Sequence, residues 1–210
     1  MVKTLSRMLP LGTELPKFDL EVVQNTIFSK NFGSEIKFIS NSFFKEKPLL
    51  VMIICAHCPF VKHIEVQIST LSLEYKDKID FVAVSSNSTV SHPQDSPEFL
   101  SEQSNLNNWN FPYLFDSDQL LAISLQAACT PEFYLFSPDK GNRQILKYRG
   151  QLDESSPGNN IPSTGIAVRN AIDKLLKGET ISEIQKPSIG CNIKWHPGST
   201  PEWFSSDLNG

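Results

Sequence analysis

The chain has 210 residues, a formal net charge of −4, 40% apolar and 20% charged residues, a balance that suits one α/β domain with extensions and a full core. Its mild acidity gives no electrostatic basis for a nucleic-acid or anionic-membrane partner. The longest apolar run, Pro48 to Cys55, is far short of the ~20 residues that span a bilayer, and Pro10, Gly12 and Pro16 break up any signal-peptide core, so a cytoplasmic location is expected.

Residues 1–35 read as a lead-in with turn signals, and Glu35 to Ser40 as a short strand followed by a loop to Lys47. Leu49-Leu-Val-Met-Ile-Ile54 is a continuous apolar run of strand length, the pattern of a central strand covered on both faces. Pro59 suits the first turn of a helix, where no amide donor is needed. From there Val61, Ile64, Ile68, Leu71 and Tyr75 fall on one helical stripe. A second buried strand follows at Ile79–Val84, then a polar loop and a helix from about Pro97 to Asn107. Trp109 to Asp116 reads as a short extended segment, with Asp118 capping a helix to about Ala127. Glu132–Phe136, the turn Ser137–Gly141 and Arg143–Arg149 form a hairpin pattern. The last helix carries Val168, Ala171, Ile172, Leu175 and Leu176 inward and stops at Gly178.

This order predicts an α/β fold with a mixed central β-sheet flanked by helices on both faces. The organisation expected is an N-terminal extension at 1–34, a main domain at 35–180 and a C-terminal tail at 181–210, in which Trp195 and Trp203 anchor the tail.

The cysteines at 55, 58, 129 and 191 carry the chemical information. Without a secretion signal they do not read as a structural disulfide framework. Cys55-Ala-His-Cys-Pro59 sits where a buried strand hands over to an amphipathic helix, which places Cys58 at the helix cap. Unpaired amides and the positive end of the helix dipole favour thiolate there. Such a thiolate attacks a disulfide or a peroxide, and Cys55 is near enough in sequence to resolve the adduct. His57 either hydrogen-bonds and charge-stabilises that thiolate or sits on the surface. The same pair is also half of a zinc or copper site, with Cys129 and His57 as further ligands, or plain core packing; a second C-x-x-C or H-x-x-H is missing. Ala128-Cys-Thr-Pro131 places a proline just before a strand, which fits a cis peptide holding a tight turn.

Strand–Cys–helix followed by Thr-Pro-x-Phe-x-Leu-Phe and a hairpin resembles the thioredoxin superfamily. More closely, Cys-Ala-His-Cys-Pro-Phe-Val-Lys-His63, Phe-Pro-Tyr-Leu-Phe-Asp116, Cys-Thr-Pro-Glu-Phe133, Tyr-Arg-Gly-Gln-Leu-Asp153 and Pro-Ser-Ile-Gly-Cys-Asn-Ile-Lys-Trp195 resemble its peroxiredoxin-like branch, related to the thiol-specific antioxidant enzymes. The resemblance implies a thioredoxin-like fold with Cys58 as attacking cysteine and Thr130 and Pro131 beside it. It places Cys129 one residue further off, as an alternative resolving thiol or as core filler. The chain departs from the pattern in two places: the helix-borne second cysteine of thioredoxin falls at Val61, and the Thr that precedes a peroxidatic cysteine by three falls at Cys55. Cys191 lies in the tail, which would have to fold back over the domain to matter. Arg149 either mimics an active-site arginine or is a solvent-exposed hairpin end. The expectation is thus a thiol-dependent oxidoreductase acting on a protein disulfide or a peroxide. It would be recycled by an external thiol such as thioredoxin or glutathione and carry no organic cofactor. A metal-handling protein and a redox-inert binding module of the same fold are the alternatives.

Overall fold

The computed structural model describes residues 3–32 and 36–205. In chain order the elements are β1 (Lys3–Leu5), β2 (Asp19–Val22), α1 (Ile27–Phe32), β3 (Phe38–Ser40), β4 (Leu49–Ile53), α2 (Pro59–Tyr75), β5 (Asp80–Ser85) and α3 (Pro97–Leu106). They continue with β6 (Tyr113–Phe115), α4 (Leu120–Ser124), β7 (Cys129–Thr130), β8 (Glu132–Pro138), β9 (Gln144–Gly150), α5 (Ile166–Leu176), β10 (Ile189–Asn192) and α6 (Glu202–Ser205). Among the described residues no helix is long and apolar enough to cross a membrane.

The main sheet has seven strands in the order β3-β2-β6-β5-β4-β8-β9. β4, β5 and β6 run parallel, and β8 returns antiparallel to β4 and forms the hairpin with β9. The apolar run at 49–54 belongs at the centre because both of its faces are covered. Leu50, Met52 and Ile54 point into the core shared with α2, α3 and α5, whereas Leu49, Val51 and Ile53 point into the core shared with α1, α4 and α6. β8 alternates the same way, with Phe133 and Leu135 on one side and Tyr134 and Phe136 on the other. The stripe Val61, Ile64, Ile68, Leu71 and Tyr75 is buried along α2, each large side chain contributing roughly 1.5–3 kcal/mol. The result is the mixed sheet with helices on both faces that the sequence predicts.

Three expectations change. The lead-in contains strands: Leu20 and Val22 alternate inward on β2, which enters the main sheet between β3 and β6. Of the strand expected from Glu35, residue 35 lies outside the described residues, and the paired part is β3. The helix expected from Asp118 to Ala127 is the shorter α4, with Gln119 in a left-handed conformation (φ 63°) at its N-cap. Asp116 accepts from the amides of Leu121 and Ala122, while Asp118 accepts only from that of Leu120.

The tail does fold back. β10 lies between β1 and β7 in a separate three-stranded antiparallel sheet. Trp195 packs edge-on to Trp203 and Phe204, and Arg7 lies over Trp203. Where the tail runs past the end of β9, Gly150 has φ +128°, and a Cβ there would stand 2.0 Å from the Lys186 carbonyl oxygen. Only glycine lets the tail pass the end of β9 at that distance.

Candidate functional site: the cysteine cluster at the head of α2

Cys58 is the N-cap of α2, with Pro59 in the first helical position. The Thr130–Pro131 peptide that faces it is cis. Across the same gap β10 pairs with β7 in a register that sets Cys191 opposite Thr130 and Asn192 opposite Cys129. Gly190 makes this register possible, because a Cβ there would lie 2.0 Å from the Thr130 carbonyl oxygen. Ser188 exchanges hydrogen bonds with Ser6 at 2.9 Å each. Beyond β10, Lys194 is tied to Asn87, Ser88 and Gln119. The segment carrying Cys191 is therefore fixed at both ends.

The consequence is a sulfur pair. Cys58 Sγ lies 2.9 Å from Cys191 Sγ and 3.3 Å from the Thr130 carbonyl oxygen. That separation is shorter than the roughly 3.5–4.0 Å optimum even for two carbon atoms, and longer than the ~2.05 Å of a disulfide bond. No disulfide joins any of the four cysteines in the structure. Cys58 and Cys191 are buried, at 0% and 2% exposure. A hydrogen bond from Cys191 holds the Cys58 thiol far below its ordinary range, at about 2, with further help from Cys55, Thr130 and the Val61 amide and against the effect of burial. The Cys191 thiol moves the opposite way, pushed up chiefly by its hydrogen bond to Cys58 and then by burial. The two shifts run in opposite directions, so Cys58 is the sulfur of the pair that gives up its proton first.

The remaining residues singled out from sequence fall around this pair. Cys55 Sγ lies 3.6 Å from Thr130 Oγ1 and 3.8 Å from His57 Nδ1, and its thiol is pushed up by burial first and by Cys58 and Asp95 after it. His57 turns its Nδ1 to Asp95 Oδ2 at 2.5 Å and stacks on His92 at 5.2 Å. Val61, where thioredoxin has its second cysteine, is fully buried in the core. Cys129 turns away to Glu132, with Sγ 3.9 Å from Oε2, and its thiol is pushed up by burial. Cys55 hydrogen-bonds Cys58 as well, and a third sulfur not expected there from sequence joins them. It is Cys191, brought to 2.9 Å from Cys58 because β10 folds back over β7. Arg149 is half-buried rather than solvent-exposed, its backbone N–H and Nη1 both donating to Gln185 Oε1 at 2.9 Å. Lys62 pairs with Glu65, and His63 with Ser155.

Sequence reasoning missed two buried carboxylates. Asp95 accepts from the amides of Ala56 and His57 at 2.9 and 3.0 Å and from Asn87 Nδ2 at 2.8 Å, as well as from His57. Burial opposes its charge, but His57 and Asn87 outweigh it and hold the carboxyl below the usual range. It fixes the loop that delivers Cys58 to the helix. Glu132, just past Pro131, takes hydrogen bonds from Tyr134 and from the Ala128 amide, and burial pushes it up to about 7. Gln103 completes the loop's support by donating to the Cys55 carbonyl at 3.1 Å. Between β10 and α2 a cavity of about 160 Å³ opens, lined by Phe60, Ile64, Pro131, Leu152, Ser188 and Ile189 among others.

No protein-family model matches the chain, and no curated protein sequence does. Solved structures do. An uncharacterized conserved protein from Geobacillus kaustophilus is 39% identical over 95% of this chain and 99% of its own, with a TM-score of 0.84. A hypothetical protein from Sinorhizobium meliloti 1021 is 34% identical over 93% of this chain and 100% of its own, with a TM-score of 0.83. At 12% identity, over 74% of this chain and 94% of that one, a secreted Mycobacterium tuberculosis disulfide oxidoreductase homologous to Escherichia coli DsbE shares the fold with a TM-score of 0.53. The chain belongs to the family of the Geobacillus and Sinorhizobium proteins and has a thioredoxin-like fold.

Proposed function

We propose that the protein is a thiol-dependent oxidoreductase in which Cys58 attacks and Cys191 resolves. The observation that carries this reading is the 2.9 Å approach of the two sulfurs at the start of α2. With a disulfide substrate, the Cys58 thiolate attacks one sulfur, forms a mixed disulfide and releases the other as a thiolate. With a peroxide, it takes one oxygen to become a sulfenic acid and releases the alcohol or water. In either case the Cys191 sulfur then attacks Cys58, closing the Cys58–Cys191 disulfide and expelling the substrate thiolate or water. An external dithiol, or two molecules of a thiol such as glutathione, returns both cysteines to the reduced state and is itself oxidised.

Cys55, His57, Thr130 and Pro131 act on geometry: the Thr130 carbonyl accepts from Cys58 while that sulfur is protonated, and the Thr130 hydroxyl lies against Cys55, while His57 and Asp95 hold the loop. Cys129 is assigned to the core beside Glu132. The cavity beside Pro131 is the assigned approach for substrate. The test is the purified Cys58→Ser variant assayed for hydroperoxide consumption and for exchange with a small disulfide. Both rates are expected to fall to the uncatalysed background; rates equal to wild type would overturn the proposal.

A further inference from the structure

Three donor atoms of different kinds converge beside the Cys58–Cys191 pair without belonging to it. Cys55 and His57 come from the loop after β4, and Asp95 comes from the turn that precedes α3. His57 Nδ1 lies 2.5 Å from Asp95 Oδ2 and 3.8 Å from Cys55 Sγ, and one donor atom from each of the three residues lies within 4.8 Å of the others. Cys55 and Asp95 are fully buried, whereas the His57 side chain keeps 22% of its exposure, so the cluster has one wet side. We propose that Cys55, His57 and Asp95 form a binding site for a thiophilic divalent ion of the zinc class, with its fourth position open on the side of His57.

The donor set and spacing fit such an ion. Zinc binds sulfur at about 2.3 Å and imidazole nitrogen or carboxylate oxygen at about 2.0–2.2 Å. At tetrahedral angles these bonds put neighbouring donors roughly 3.4–3.6 Å apart. The sulfur–nitrogen separation is already close to that value, and the imidazole–carboxylate pair has only to open once the proton it shares has gone. The charge also closes. A doubly charged cation with one thiolate and one carboxylate is neutral, which suits a buried site better than any unpaired charge. On binding, the Cys55 thiol gives up its proton to solvent, and the His57 ring, as the tautomer with its proton on the partly exposed Nε2, offers the Nδ1 lone pair to the metal, solvent taking the proton from Nδ1 and returning one to Nε2. Nothing is oxidised or reduced. The support around the donors is already built: the amides of Ala56 and His57 hold Asp95 Oδ1, Asn87 holds Oδ2, and His92 stacks on the His57 ring. Outer contacts of this kind orient metal ligands. Cys129, turned to Glu132, lies outside this cluster.

The inference does not depend on the redox proposal, since Cys58 and Cys191 are not ligands. It is tested on the reduced, chelator-stripped full-length protein by competing Zn²⁺ against a chromogenic chelator and by titrating with Co²⁺. The expected result is one equivalent of Zn²⁺ and a cobalt–thiolate charge-transfer band of single-thiolate intensity. Cys55→Ser and His57→Ala are each expected to weaken binding by at least ~100-fold, beyond the 10–100-fold loss typical of removing an outer contact. The Cys58→Ser/Cys191→Ser double variant is expected to bind as wild type. His57 is partly exposed, so His57→Ala keeps the fold, and its metal-free melting curve verifies that. Absence of stoichiometric binding would overturn the proposal. So would binding that survives His57→Ala or is lost in the double variant, which would move the ion to the other two sulfurs.

Discussion

Replacing Gly190 by alanine places a methyl group against the strand that faces Cys58. The added Cβ would stand 2.0 Å from the Thr130 carbonyl oxygen and 2.6 Å from its carbon, both backbone atoms that no rotamer change can move. To reach an ordinary 3.4 Å contact, β10 must lift off β7 by about 1.4 Å. Overpacking of this kind costs about 1–3 kcal/mol, and for a domain of this length each kcal/mol lowers Tm by about 2–4 °C. A fall of about 2–12 °C is expected. The same shift carries Cys191 away from Cys58, and a 1 Å misplacement of reacting atoms costs on the order of 100-fold in rate. The assay is stopped-flow formation of the intramolecular disulfide after one equivalent of hydrogen peroxide, quenched by alkylation and read by intact mass. The reasoning predicts a lower Tm together with a disulfide rate reduced about 100-fold. A variant that melts like wild type would refute the packing argument. One that melts lower yet closes the disulfide at the wild-type rate would refute the link between strand register and sulfur placement.

Three further outcomes follow from the same geometry. Cys191→Ala removes the largest cause of the low Cys58 value; the pH midpoint for Cys58 alkylation should move upward, and peroxide should leave a trappable sulfenic acid, whereas an unchanged midpoint would contradict the assignment. Burial raises Glu132 to about 7 from an ordinary 4.5, so the folded state binds this proton more tightly than the unfolded state. That contribution is complete below pH ~4.5 and is lost as pH rises through about 7, costing up to roughly 3 kcal/mol; Glu132→Gln should flatten that part of the stability curve in urea titrations at pH 5 and 7.5, and identical slopes in both proteins would count against it. Asp95→Asn keeps the shape of the side chain but removes the charge that gathers two amides, Asn87 and His57; a loss of about 3–5 kcal/mol is expected with slower Cys58 alkylation, and a loss below ~1 kcal/mol would show that Asp95 does not hold the loop.

Much of this was legible because it is local. The unbroken apolar run at 49–54 can only be a strand with two covered faces, and the 61-64-68-71-75 stripe with Pro59 ahead of it fixes both the helix and the cap position of Cys58. What stayed hidden is long-range. β1, β2 and β3 are three or four residues long, too short for alternation to stand out from a loop. Asp95 sits in a polar stretch, and its partners are amides 38 and 39 residues away. Cys191 reaches Cys58 across 133 residues through a strand register that composition does not encode. One signal was available: a glycine inside the short segment Ser-Ile-Gly-Cys-Asn marks a close backbone approach, and here it is the approach of β10 to Thr130.

The central claim is that Cys58 and Cys191 are the reacting pair. It is tested most directly by peptide mass mapping after one equivalent of hydrogen peroxide, with unreacted thiols alkylated before digestion. The account predicts a single cross-link between the peptides containing Cys58 and Cys191, with Cys55 and Cys129 recovered as alkylated thiols. A cross-link from Cys58 to Cys55 or Cys129, or Cys58 recovered unoxidised, would contradict it.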